Sequence, residues 1–200
     1  MASSRSGSKG VPRAEREALI LDAAAWELSQ RGYAGTTLAQ VAQRAGISKP
    51  LIHAYFDSKE GLYCACVRRA GEEVTSRIAE VLEAPQASAL GQAVDVLHAM
   101  YVALEPRPHD WKVLLDTTLP PGSAAEETAR HYRRLLIGQG AQGLSGTYSG
   151  QLDDPKDLSA LVYVWTNVVT AMVNWWLRNP DQSAQQMTDR SGRLFALLTS

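Results

Sequence analysis

The stretch from Thr36 to Tyr63, TTLAQVAQRAGISKPLIHAYFDSKEGLY, constrains the fold more tightly than any other part of the chain. Thr37 is followed three residues later by Gln40, the spacing of a capping box, in which hydroxyl and amide each satisfy a backbone N–H of the other. Leu38, Val41, Ala42 and Ala45 recur at helical spacing and give this piece one apolar face. Gly46 then stops it where the backbone must take a positive φ, which costs glycine least. Ser48 is placed to cap a second helix, with Pro50 in its first turn, where a missing N–H breaks no bond. That helix carries Leu51, Ile52 and Tyr55 and ends by Phe56; Asp57, followed by Glu60, is expected to cap a third. Two short helices about a Gly-containing turn make a helix-turn-helix, a motif whose second helix enters the DNA major groove.

The net charge of −1 conceals an asymmetry. Residues 1–70 hold ten Lys/Arg against six Asp/Glu, and the remainder holds ten against fifteen. A basic head on an acidic body suits a nucleic-acid-binding module joined to a body with a different task. No apolar run approaches the ~18 residues of a membrane span, so no membrane partner is expected. The polar start, residues 1–12, lacks the apolar core of a secretory signal and reads as a disordered arm. Cys64 and Cys66, two apart on a helix, point to different sides and read as reduced thiols.

Around the motif, a helix is expected from about Arg13 to Arg31, stopped by Gly32. The head core would be Ile20, Ala24, Leu28, Leu38, Val41, Ile47, Ile52 and Phe56. The third helix of the motif should continue through Val67, Val74, Ile78 and Leu82 to Pro85. Further helices are expected over 87–104, 111–119, 124–137, 156–178 and 182–198. Gly138, Gly140, Gly143, Gly146 and Gly150 predict fraying or a loop after 137. With no alternating strand pattern anywhere, the chain should be all-α with about nine helices. The domains expected are a head over 13–63 and a helical ligand-binding and dimerisation body over 64–200.

The segment Ile20–Tyr63 resembles the N-terminal domain of the TetR family of bacterial transcriptional regulators. The resemblance rests on Ile20, Ala23, Ala24, Leu28, Arg31-Gly32-Tyr33, Thr36-Thr37, Val41-Ala42, Ala45-Gly46-Ile47-Ser48-Lys49, Tyr55-Phe56 and Ser58-Lys59-Glu60. It implies a cytoplasmic, nucleoid-associated protein: a homodimer on a palindromic operator, acting as a repressor released by a small apolar or amphipathic ligand. It also implies phosphate contacts from Thr37, Tyr55 and Lys59, and base or phosphate contacts from Lys49, Pro50, Leu51 and His53. Lys49 is suited to a guanine edge or a phosphate, while Pro50 and Leu51 suit a thymine methyl. The chain departs from many relatives at His53-Ala54, where they carry Tyr-His, so the operator sequence does not carry over. For His53 the alternative is a partly packed side chain; Arg44 and Arg5 are either further phosphate contacts or plain surface.

The helix over 156–178 is apolar nearly all round, which requires burial on more than one side. Trp165, Val169, Met172 and Trp176, with Leu194 and Leu198 from the last helix, are therefore candidates for a dimer interface. Tyr163, Asn167, Thr170 and Asn174 form a polar stripe along the same helix. It reads either as orienting groups in an apolar pocket, with Tyr101 and Trp111 from neighbouring helices, or as an interface or solvent stripe. Nothing calls for a cofactor or a metal: the sequence has no Gly-rich phosphate loop, nucleophile elbow or His pair at ligand spacing. The competing class is a helical small-molecule-binding or enzymatic protein whose helix-turn-helix is not used on DNA.

Overall fold

A computed structural model describes residues 12–85, 88–148, 150–151 and 154–199, with side chains through Leu197. The arm expected over 1–12, with Arg5, falls almost wholly outside the described residues, as does the side chain of Leu198. Among the described residues there are nine helices: α1 (Arg13–Gly35), α2 (Leu38–Ala45), α3 (Lys49–Phe56), α4 (Lys59–Glu83), α5 (Ala89–Leu104), α6 (Asp110–Leu114), α7 (Ala124–Thr147), α8 (Pro155–Leu177) and α9 (Ala184–Thr199). No strand occurs among them.

The head is built on the apolar face of α1. Ile20, Ala24 and Leu28 meet Leu38 and Val41 of α2 and Ile52 and Phe56 of α3, all buried, with Ile47 of the turn half-buried against them. Burying a side chain such as Ile52 fully contributes about 1.5–3 kcal/mol, so three short helices hold together through their shared interior. Gly32 breaks α1 at φ 65°, ψ 177°, leaving a last turn that carries Tyr33 back toward the body.

The body is organised on α4, which packs on α5 and α7; α5 packs on α9, α7 on α8, and α6 is wedged between α1 and α4. Several sequence expectations shift here. Asp57 does not cap α4: it closes α3 at φ 60°, and Ser58 caps α4 by accepting the Gly61 N–H at 2.9 Å. Ser48 occupies the N-cap of α3 but its side chain makes no capping bond. The helix expected over 111–119 stops at Leu114, because the Asp116 carboxylate captures the N–H groups of Tyr33 and Thr118 and holds that stretch irregular.

The largest shift is α7, which runs unbroken to Thr147 through the glycines expected to fray it. Two of them are there for close approach. A Cβ on Gly140 would come within 3.3 Å of the Trp165 ring, and one on Gly143 within 3.0 Å of Leu82. Packing against α8 and α4 thus outweighs the ~1 kcal/mol helix penalty of each glycine.

Helix α8 corrects the hydropathy reading as well. Polar residues interrupt its apolar run, but uncharged ones, so an 18-residue window still reaches the mean hydropathy of a membrane-crossing helix, 1.2, while only 11% of that window is buried. Its inner side packs on α7 and carries the buried Val162, Val169, Val173 and Trp176.

Candidate functional site

The head presents α3 outward. Thr37 Oγ1 accepts the Gln40 N–H at 3.3 Å while Gln40 Oε1 accepts the Thr37 N–H at 2.8 Å, so the expected capping box is complete. Gly46 takes φ 65°, ψ 31° and donates its N–H to the carbonyls of Ala42 and Gln43, which sets the turn into α3. Ile52 and Phe56 pin α3 to the core; Lys49, Pro50 and His53 are exposed, and Leu51 and Tyr55 are half-buried at the edge of that surface. His53 Nδ1 lies 2.8 Å from the Asp57 carbonyl. A carbonyl only accepts, so Nδ1 carries the hydrogen and Nε2 of the neutral ring is left as an acceptor. That atom suits an amino donor on a base edge, such as adenine N6 or cytosine N4.

The remaining cations of the head have partners. Lys59 Nζ sits 4.3 Å from the centre of the Tyr33 ring; burial lowers its pKa, against the opposing pull of the Asp116 carboxylate. Arg13 lies over the Tyr55 ring at 5.1 Å. Arg44 binds Glu27 Oε1 at 2.8 Å and covers the Trp26 ring, so it is a structural tie rather than open surface.

A polar seam joins head to body. The Tyr33 N–H donates to Asp116 Oδ2 at 2.6 Å, the Ala34 N–H to Thr118 Oγ1 at 3.2 Å, and the Tyr63 hydroxyl to the Val113 carbonyl at 2.9 Å. Arg69 bridges Asp22 of α1 at 2.7 Å and Asp110 of α6 at 3.0 Å. None of these pairings was visible in the sequence, since their partners lie 41 to 84 residues apart.

Behind the seam a cavity of about 740 Å³ opens between α4, α5, α7 and α8. Its wall is mostly apolar, with Ile78, Met100, Leu136, Leu161, Val169 and Phe195 among the lining residues. Trp111 and Arg133 line it as well. Trp111 is 3% exposed and its Nε1–H has no partner. Arg133 donates only to two backbone carbonyls, from Nε to Ala129 at 3.3 Å and from Nη1 to Asp116 at 3.5 Å. Gln139, also on the lining, donates to the Thr75 carbonyl at 2.7 Å while its Oε1 is buried without a partner.

The structure separates the residues grouped as pocket candidates. Trp111 and Thr170 line the cavity. Tyr101 does not: it is fully buried in the core, its hydroxyl 3.1 Å from Ser191 Oγ and its ring edge-on to Trp176. Tyr163 and Asn167 lie on the exposed side of α8 and Asn174 is half-buried off the lining, so the polar stripe does not run along the cavity.

The interface candidates divide too. Trp165 and Val169 line the cavity, Met172 packs partly buried on the core, and Trp176 is buried, donating from Nε1 to the Gln182 carbonyl at 2.7 Å. Leu194 is exposed. The outward apolar ridge consists instead of Tyr163, Val164 and Trp175 of α8, with Leu194 and Leu197 of α9. A helix apolar on every side gives no periodicity to choose a face by, and of the candidates only Leu194 lies on this ridge.

Residues 20–66 match the family described as bacterial regulatory proteins, tetR family. Two curated relatives resemble the same part of the chain. The transcriptional activator FasR of Mycolicibacterium smegmatis is 36% identical over 72 residues, which cover 36% of this chain and 33% of that protein. The transcriptional regulator BetI of Paraburkholderia xenovorans is 49% identical over 53 residues, covering 26% and 27%. The chain thus matches about a third or less of the length of these relatives. Solved structures extend the likeness to the whole fold. A TetR-like regulator from Rhodococcus sp. RHA1 superposes with a TM-score of 0.70 at 24% identity, over 92% of this chain and 95% of that one. The regulator FadR of Bacillus subtilis, solved with stearoyl-CoA, gives 0.66 at 18% over 92% and 97%. Residues 20–66 are thus the helix-turn-helix head described for bacterial regulatory proteins of the tetR family, and the nine helices among the described residues take the fold of these solved regulators.

Proposed function

We propose that the protein is a sequence-specific, DNA-binding transcriptional regulator of the cytoplasm, a homodimer that represses until a small amphipathic ligand enters its body. The observation that carries this reading is the pairing of a capped helix-turn-helix, with Lys49, Pro50 and His53 exposed on α3, and a large apolar cavity joined to it by a hydrogen-bonded seam. Lys49, Pro50, Leu51 and His53 would meet bases or phosphates, and Thr37 and Tyr55 phosphates. Lys59, stacked on Tyr33, would serve a phosphate from the edge of the seam. The head over 13–63 and the body over 64–200 share α4, so a shift of α4 moves one against the other.

The second copy would sit on the ridge of α8 and α9, pairing two palindromic half-sites with two recognition helices. A ligand would act by favouring a body conformation in which those helices are out of register; one that binds both conformations equally would do nothing. The relative solved with stearoyl-CoA supports a cavity ligand with a long apolar part.

The test is fluorescence anisotropy with duplexes from the protein's own upstream DNA at two salt concentrations. Binding should weaken steeply with salt and be lost in a Lys49→Ala, His53→Ala double variant. Failure to bind any duplex in a salt-dependent way would leave the competing reading, a helical binding protein with an unused head.

A further inference from the structure

We infer that the cavity ligand carries a carboxylate and that Arg133, on the same lining as Trp111, is the residue that selects it. The inference rests on the ligand-responsive reading above and names the chemistry of that same site. Arg133 lines a largely apolar cavity, and no carboxylate lies within ion-pair distance of its guanidinium among the described residues. Its two hydrogen bonds, at 3.3 and 3.5 Å, are long and go to neutral carbonyls. The nearby Asp116 does not serve it, because Oδ2 accepts from Tyr33 and Oδ1 from both the N–H and the hydroxyl of Thr118. A guanidinium keeps its charge at any working pH, and a partly desolvated one without a counter-ion is costly. Trp111 adds a buried Nε1–H that donates to nothing. An N–H without a partner and a guanidinium held only by two long bonds to neutral carbonyls describe one end of a site for an anion.

The rest of the lining sets the other end. On α7 it runs from Arg133 to Tyr148, fifteen residues or about 22 Å of helix. A lining of that length, mostly apolar, suits an extended chain. The ligand class is therefore a monocarboxylic acid with an extended apolar body.

The test is calorimetric titration of the full chain with decanoate and, separately, with decanol, which has the same body without the charge. Wild type should bind decanoate about tenfold or more tightly than decanol, the preference expected of charge-assisted hydrogen bonds to a desolvated group. Arg133→Met should abolish that preference while leaving decanol affinity within about twofold, and Arg133→Lys should restore part of it. Should Arg133→Met not fold, the wild-type ratio and the lysine variant still decide the matter. Equal binding of acid and alcohol by wild type, or a preference that survives in Arg133→Met, overturns the carboxylate inference and leaves the cavity as a ligand site. No binding of either molecule overturns both.

Discussion

The Asp116 carboxylate accepts the backbone N–H of Tyr33 at 2.6 Å, a single bond that ties the end of α1 in the head to the stretch after α6 in the body. Asp116 is buried and uses its other oxygen for the N–H and hydroxyl of Thr118. Asparagine offers only one accepting oxygen, so in Asp116→Asn one of these N–H groups faces an amide NH₂. Leaving a buried donor unmet costs about 1–3 kcal/mol. Urea denaturation should show a loss of that size, and the Tyr33 amide should exchange its hydrogen faster than in wild type. An unchanged Tyr33 exchange rate would remove Asp116 from the seam.

Gly32 lies at the same seam. Its φ of 65° with ψ of 177° is a conformation essentially reserved for glycine, and a Cβ there would stand 2.7 Å from Thr118 Oγ1. Gly32→Ala should cost more than about 2 kcal/mol, part steric and part conformational. Combining it with Thr118→Ala should recover only the steric part. Full recovery in the double variant would mean that the backbone conformation carries no penalty.

Two glycines in helices should respond with opposite signs. Gly138 has open space where a Cβ would go, so Gly138→Ala should gain about 1 kcal/mol from helix propensity alone. A Cβ on Gly71 of α4 would fall inside the Tyr132 ring of α7, so Gly71→Ala should instead lose about 1–3 kcal/mol from overpacking. Thermal melts of the two variants check this directly, and a stabilised Gly71→Ala would contradict the close α4–α7 contact.

These glycines also mark where the sequence stops being legible. The head could be read because its signals are local: Thr37 and Gln40 are three residues apart, Gly46 is its own stop, and Ile52 follows from helical spacing. The length of α7 could not, because what favours Gly140 and Gly143 there is Trp165 and Leu82, on other helices. Asp116 gave no sign of its role, being a polar residue in an irregular stretch whose partner lies 83 residues away. The cavity is similar. Trp111 was among the pocket candidates, but Arg133, one of three arginines within five residues, gave no sign of facing a cavity, and only the packing of α7 places it on the lining.

Stability should fall on the alkaline side. Burial pushes the Cys66 thiol up to about 12, and burial also raises the Tyr63, Tyr101 and Tyr33 hydroxyls above their ordinary range. All four stay protonated in the fold where the unfolded chain has begun to ionise, so the unfolded state binds fewer protons. Their stabilising contribution is complete below about pH 8.5, where the unfolded thiol is protonated, and is lost as pH rises above it. The buried Cys66, Tyr63 and Tyr101 each add up to about 1.4 kcal/mol per pH unit to the decline, and the half-buried Tyr33 less, since solvent screens its charge. Denaturation at pH 7 to 10 should show the fall, shallower in Cys66→Ala. The native thiol should also resist alkylation at pH 8 until the protein unfolds, and rapid labelling of Cys66 in the folded protein would contradict its burial.

The dimer reading turns on which face of α8 is open. Val164 is 56% exposed and Trp175 42%, on the helix whose apolar window is only 11% buried. A long apolar face of this kind needs cover, and a second copy places the same ridge against itself about a two-fold axis. Tyr163→Arg puts a charge into that ridge at an exposed residue that belongs to neither the subunit core nor the cavity lining. Light scattering should then give a particle near the chain mass of 21.8 kDa, against about twice that for wild type, with helix content unchanged by circular dichroism. Trp176→Arg should behave differently. Its ring is buried edge-on to Tyr101 at 5.3 Å and its N–H is bonded to the Gln182 carbonyl, so a charge there should unfold the body rather than split the dimer. A wild-type particle of single-chain mass at micromolar concentration would rule out the dimer, and a folded monomeric Trp176→Arg would move the interface to the opposite side of α8.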